Sequence, residues 1–310
     1  MSVEIVGPEA EAYLSWKGLL EALTKGHALP PAEIDDTFLY RGQDTLLSRS
    51  AWIDGMGIAV KTATIFPENP SRGRPMVNGA VSLFSDDGGQ LEAIVDFHLV
   101  TKWKTAGDSL LAASRLARPD SRKITLVGAG TVARSMVEAY SSLFPDARFT
   151  VWNRSPAAAE AMAADPRVTA TRDLEAAVRT ADIICTATMT TEPLVEGAWL
   201  QPGQHLDLIG AYRPDMREVD DLALQRSILF VDSRATTIGH IGELKIPIAA
   251  GVLRPDDIRA DFYELGSGRF SRQSAEDITI AKNGGGAHLD LMTSRYILES
   301  WRNRGAAAQV

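Results

Sequence analysis

The chain has 310 residues, 45% of them hydrophobic and 23% charged, and a formal net charge of −8. That length predicts two domains of ordinary globular composition, and the acidic balance without a basic stripe excludes nucleic acid as the expected partner. A single cysteine, Cys185, excludes an internal disulfide or a Cys-rich metal site.

From the N-terminus, residues 9 to 26 have amphipathic helical spacing (Ala12, Leu14, Leu19, Leu20, Leu23), broken by Pro30-Pro31. Strand signals follow at 38–40, 46–52, 57–64, 77–84 and 91–97. Turn clusters such as Pro67-Glu68-Asn69-Pro70 and Asp86-Asp87-Gly88-Gly89 separate them. A helix is predicted from about Thr105 to Ala117, ending before Pro119. From Lys123 strands (124–127, 149–152, 182–187, 205–209, 228–231) alternate with helical segments (156–164, 173–179 among them). That rhythm predicts a parallel sheet with covering helices. A last helix spans Leu289 to Trp301, and Gly305 to Val310 reads as a frayed tail. The fold class is α/β: a Rossmann-type parallel-sheet domain plus a β-rich α+β domain. The boundaries fall at 1–120 with 289–310 for the β-rich domain and 121–288 for the parallel one.

Residues 124 to 133 are an apolar run entering Gly128-x-Gly130-x-x-Ala133, with helical spacing after it. Strand, glycine turn and helix in that order suit a dinucleotide pyrophosphate at a helix N-terminus, with Gly128, Gly130, Thr131 and Val132 lining it. About 20 residues on, an NAD site usually places a carboxylate on the ribose. Here the strand ends Asn153-Arg154-Ser155. Arg154 can pair with a 2′-phosphate through planar charged donors, and Asn153 and Ser155 can add hydrogen bonds, so NADPH is expected over NADH. The alternative is that Arg154 is a solvated strand-end charge. Thr186, Ala187 and Thr188 end a later strand of the same sheet, where ligands of open α/β sheets bind. Cys185 beside them reads as a packed small side chain. The five histidines show no metal spacing, and His205 and His288 are expected at a surface or a cap; no metal is expected.

Several segments together resemble the ornithine cyclodeaminase/μ-crystallin family. They are Gly57-Ile58-Ala59-Val60-Lys61-Thr62 with Phe66-Pro67-Glu68-Asn69-Pro70, Lys104-Thr105-Ala106, Gly128-Ala129-Gly130, Gly210 to Glu218, and Ile278 to Gly285. They span most of the chain in the family's order. The resemblance implies a dimerising β-rich domain, a Rossmann domain and an active site between the two. It adds Thr105, Gly210 and Asn283 to the cofactor set. It places Lys61 on a substrate carboxylate, helped by Lys104, where the family usually has Arg, and by a further Arg. Arg41 and Arg49 are the candidates, with Arg41 favoured. In the family's cyclodeaminases the loop after a late strand carries an Asp near the substrate amine. Tyr212 falls there, and a phenol with a reference pKa of about 10 is no carboxylate base; Asp215, three residues on, is the alternative.

The expected activity is therefore reduction of a cyclic imine carboxylate, Δ1-pyrroline-2-carboxylate or Δ1-piperideine-2-carboxylate, to proline or pipecolate. Ornithine cyclodeaminase and a non-catalytic NADPH-dependent small-ligand binder are the alternatives. The expected setting is a cytoplasmic homodimer with a small-molecule imine or amino-acid substrate and no membrane. Met1 to Ala12 lacks a signal-peptide pattern, and no apolar run approaches the ~18 residues of a span.

Overall fold

The computed structural model describes residues 2–307. The chain divides into two compact units, Met1–Lys104 with Gly286–Val310, and Thr105–Gly285. The sequence placed these boundaries after residues 120 and 288. The first difference has a local cause. The helix expected from Thr105 begins at Phe97 and runs to Leu116, so the chain changes unit inside a helix with no linker to mark it.

The first unit opens with β1 (Glu4–Val6), a 3-10 turn (Pro8–Tyr13) and α1 (Trp16–Gly26). The single predicted helix over 9–26 is thus two pieces, and the break is Ser15, whose side chain accepts a hydrogen bond from the Gly18 N–H and caps α1. Five strands follow: β2 (Glu33–Arg41), β3 (Asp44–Ile53), β4 (Gly57–Ile65), β5 (Val77–Phe84) and β6 (Leu91–Asp96). Then comes α2 (Phe97–Leu116), whose start is capped by Asp96 Oδ1 accepting from the Leu99 N–H at 2.7 Å. The six strands form one sheet in the order β1-β6-β5-β4-β3-β2. It is antiparallel except that β1 runs parallel to β6. In β4 the period-2 pattern becomes burial: Gly57, Ala59, Lys61 and Ala63 are buried, with half-buried residues between them. By contrast β2 is an edge strand with most of its residues exposed.

The second unit begins with β7 (Lys123–Val127), α3 (Thr131–Leu143), β8 (Arg148–Trp152), α4 (Pro156–Met162) and β9 (Val168–Thr171). It continues with α5 (Leu174–Thr180), β10 (Ile183–Thr186), β11 (His205–Leu208), α6 (Asp221–Gln225) and β12 (Ile228–Val231). It closes with α7 (Arg234–Thr237), α8 (Gly242–Ala249), β13 (Ile258–Ala260) and β14 (Thr279–Lys282). All eight strands are parallel, in the order β13-β12-β14-β11-β10-β7-β8-β9. Strands β10, β11 and β14 are buried along their whole length, as strands covered on both faces must be. Val127, Ile184, Leu206, Leu208 and Ile280 belong to the core there, each worth ~1.5–3 kcal/mol of burial. The chain builds outward from β7 to β9, then crosses back to lay β10 on the other side of β7. That reversal is where open α/β sheets bind ligands.

Helix α9 (Ala287–Arg302) returns to the first unit and packs on β3, β4, β5, β6 and α1. Of the expected frayed tail, Arg304–Ala307 is a helical turn, α10, and 308–310 lie outside the described residues. No helix among the described residues is long and apolar enough to cross a membrane.

Candidate active site

Lys61 stands on the covered face of β4 with Ala59 and Ala63 two residues to either side. Those small neighbours leave the space its stem fills. Its Nζ donates to Asp290 Oδ1 and to Thr101 Oγ1, both at 2.9 Å, and lies 4.7 Å from the centroid of the Phe97 ring. Phe97, Thr101 and Lys104 lie on one face of α2, at spacings of four and three residues. Lys104 Nζ is 3.9 Å from the same Asp290 oxygen. Lys61, Lys104 and Asp290 are 6%, 7% and 1% exposed, so two lysines share one carboxylate away from water. Asp290 sits in the first turn of α9, where the helix dipole also favours an anion.

The structure corrects the choice of arginine. Arg49 is paired across β3 and β4 directly with Lys61, and across β2 and β3 with Asp36. Its guanidinium holds Asp36 at 2.9 Å. Arg41 instead faces Asp44 at the hairpin end, with its side chain 79% exposed and its ion pair spent on Asp44 at 2.8 Å. Five rungs separate it from Arg49, roughly 17 Å at the rise of a β-strand. The register therefore puts Arg49, and not Arg41, beside Lys61.

Burial drives the Lys61 ammonium down from its ordinary value to about 8; Asp290 opposes this and Lys104 adds to it. Burial pushes the Asp290 carboxyl up, but Lys104, Lys61 and Arg49 together outweigh it and hold Asp290 below the usual carboxylate range. His288, two residues from Asp290, is fully buried rather than at a surface or cap. Burial, His27 and Lys104 take it well below the ordinary imidazole value. His27, edge-on to it at 5.5 Å, falls to about 4 through burial, against the pull of the Leu23 carbonyl. Both rings are therefore neutral near pH 7. Three cations thus meet two carboxylates, Asp36 and Asp290, a local excess of positive charge suited to a small anion. Asp290 is not singled out by the sequence, where it is one of several polar residues, with Thr293, Ser294, Arg295 and Glu299, in an amphipathic helix. The available signal was charge balance, since buried lysines need an anion.

In the second unit, β7 ends in Gly128, whose φ of +116° a side chain would strain. A Cβ there would meet the Ala187 carbonyl oxygen at 2.6 Å, so the turns after β7 and β10 touch through backbone. At Gly130 a Cβ would project into open space, and α3 starts there with no side-chain cap. The amides at Thr131 and Val132 and the bare glycine make the cradle a pyrophosphate requires. Thr186 is fully buried at the end of β10, and its hydroxyl makes no hydrogen bond among the described residues. Asn153 Nδ2 donates to the Ser155 carbonyl at 3.0 Å, turning the chain after β8, and Arg154 is exposed. Thr105 is half-buried on α2. Asn283 is buried and donates to Ser109 Oγ at 2.6 Å. Thr188 is held by Glu218, which accepts from its N–H at 2.8 Å and its hydroxyl at 2.7 Å. Tyr212 is exposed, and Asp215 is taken up by two hydrogen bonds from Arg213, both 2.9 Å. His205 is buried inside the sheet, not at a surface, with Nδ1 2.9 Å from Thr279 Oγ1. Among the described residues no cluster of His, Cys, Asp and Glu is arranged to hold a metal ion.

Fold and site define a two-unit α/β chain with a dinucleotide-type parallel sheet in one unit and a buried cationic cluster in the other. Residues 51–305 match the ornithine cyclodeaminase/mu-crystallin family, and the chain belongs to that family. A Δ1-pyrroline-2-carboxylate reductase of Paracoccus denitrificans is 51% identical over 296 residues, covering 93% of this chain and 94% of that one. The solved Thermococcus litoralis Δ1-pyrroline-2-carboxylate reductase, in complex with NADH and L-proline, superposes with a TM-score of 0.88 at 25% identity, covering 98% of both chains. An archaeal alanine dehydrogenase dimer with bound NAD has the same TM-score at 26% identity, again over 98% of both.

Proposed function

We propose that this protein is a nicotinamide-dependent reductase of cyclic imine carboxylates, converting Δ1-pyrroline-2-carboxylate to proline or its six-membered homologue to pipecolate. The observation that carries the reading is the buried Lys61–Asp290–Lys104 cluster with Arg49 on the adjoining rung. It occurs in a chain half-identical along nearly its whole length to a reductase of that substrate. Lys61, Lys104 and Arg49 bind and orient the carboxylate, which fixes the C=N carbon for attack. Lys61, with a pKa of about 8, is mostly protonated at neutral pH and can give a proton to the ring nitrogen as the double bond is reduced. A nicotinamide cofactor whose pyrophosphate rests in the Gly128–Gly130 cradle would supply the hydride.

The cofactor preference proposed is NADPH over NADH. It rests on Arg154 and the missing ribose-binding carboxylate in Asn153-Arg154-Ser155. The two structural relatives were solved with NADH and NAD, so the preference is a property proposed for this chain's own residues. Cyclodeamination is disfavoured because the loop that would bring a carboxylate offers Tyr212, and its nearby Asp215 is engaged by Arg213. The protein is further proposed to be a cytoplasmic homodimer. Support comes from one buried thiol, Cys185, and from the exposed apolar edge strand β2.

One set of assays tests the activity. Purified protein should oxidise NADPH when given Δ1-pyrroline-2-carboxylate and release little ammonia from ornithine. Rapid ornithine deamination would overturn the reductase reading. Tight NADPH binding with neither activity would establish the ligand-binding alternative.

A further inference from the structure

Under the C-terminal ends of the parallel strands lies a buried set of charges that the reaction above does not use: Glu218, Glu243, Asp232 and Lys282. Buried carboxylates are costly unless hydrogen-bonded, and each carboxylate here accepts from backbone N–H groups. Glu218 does most. Its Oε1 accepts from the Thr188 N–H and hydroxyl at 2.8 and 2.7 Å, and its Oε2 from the Gly210 and Ala211 N–H groups at 2.7 and 3.2 Å. Glu243 in turn accepts from the N–H of Glu218 at 2.7 Å and of Val219 at 3.1 Å. Lys282 Nζ donates to the Leu208 carbonyl at 2.8 Å, and Asp232 accepts from the Gly285 N–H at 2.8 Å.

One carboxylate therefore ties together the turns that follow β10 and β11. The fit is tight. A Cβ on Gly210 would lie 2.0 Å from the Thr188 carbonyl oxygen and 2.3 Å from its nitrogen. A dinucleotide spans the strand-order reversal, one mononucleotide to each half of the sheet. The glycine turn and Arg154 belong to the β7–β8 half, which receives the adenosine. The β10–β11 half is left for the nicotinamide.

We propose that Glu218 is a positioning residue for the nicotinamide half of the cofactor, fixing the Thr188 and Gly210–Ala211 backbone against which that half binds. The inference rests on the dinucleotide reading of this unit. It makes an asymmetric prediction that a purely structural role does not. In Glu218→Gln, one turn must face an NH2 group instead of an acceptor, whichever way the amide is placed.

The experiment measures dissociation constants of NADPH and NADH by fluorescence titration, those of ADP and 2′,5′-ADP by competition, and thermal melting. For Glu218→Gln the dinucleotide constants should rise at least about tenfold, as for loss of a charged hydrogen bond. The adenosine fragments should stay within about twofold. Unchanged dinucleotide affinity would overturn the proposal, and so would equal weakening of dinucleotides and fragments. If Glu218→Gln does not fold, Glu218→Asp keeps the charge but is too short to hold both turns, and the same asymmetry is required of it. A wild-type protein that bound neither dinucleotide would bring down the cofactor reading itself. A wild type that binds both, with no asymmetry in the variant, removes only the role of Glu218.

Discussion

Lys61 is an ammonium kept charged by a neighbour against the pull of burial, and that balance sets a pH dependence. Burial lowers its pKa and Asp290 raises it, leaving about 8. In the proposed reaction the protonated form both binds the carboxylate and carries the proton. The kcat/KM for an imine carboxylate is therefore expected to be full below that value and to fall about tenfold per unit above it. In Asp290→Asn the negative charge that raises Lys61 is gone, so the falling limb should move to lower pH. A limb that stays in place would show that Lys61 is not the titrating group. The arginines separate just as cleanly. Arg49→Ala should cut kcat/KM by about tenfold or more, the cost of one charged hydrogen bond. Arg41→Ala, with its side chain in solvent, should change it by less than about twofold. Equal effects from the two would contradict the strand register as the basis of the clamp. At the other unit, Arg154→Ala should weaken NADPH by roughly 1–3 kcal/mol and leave NADH nearly unchanged. Titrations giving equal affinities for the two cofactors in wild type would dispose of the 2′-phosphate role.

Elements differ in how openly the sequence announced them. Strand β4 was legible because its residues alternate over nine positions. The β7 strand and α3 were legible because two glycines stand between an apolar run and a helical one. Strands β1 and β13 run only three residues, too few for a period to show, and the four residues of β9, Val168–Thr171, lack the apolar run that marks the equally short β10 and β12. The start of α2 was missed by eight residues. Asp96 before an apolar-periodic run was the available signal, but the preceding strand was read through it. The turn between β7 and α3 is the element with least tolerance. Gly128→Ala would add a Cβ at a positive φ and against the Ala187 carbonyl, at a cost of about 1–3 kcal/mol. Chemical denaturation should show that loss together with weakened NADPH binding. A variant as stable as wild type would mean the turn relaxes freely.

At the scale of the whole molecule, β2 exposes Phe38, Leu39 and Tyr40 at 48%, 67% and 72% on a free sheet edge. Edges of this kind are normally blunted or covered, and a second copy of the chain is the cover proposed. Light scattering should give twice the chain mass, and Leu39→Asp with Tyr40→Asp should shift it toward the monomer. A monomeric wild type would refute the dimer. Lys61 stood out through the family resemblance; by itself the sequence determined the α/β class, the strand–glycine–helix turn and the missing ribose carboxylate. These are local patterns, set by φ at a glycine, by side-chain period or by a few adjacent residues. Tertiary structure decided Asp290 and Arg49. Asp290 reaches Lys61 across 229 positions, brought there by a helix whose other buried residues are mostly apolar. Arg49 replaces Arg41 through strand register alone. Neither pairing leaves a trace in local spacing, because strand register and the packing of α9 on the sheet, both long-range, bring these side chains together, and Asp290 then offsets the cost of burying Lys61.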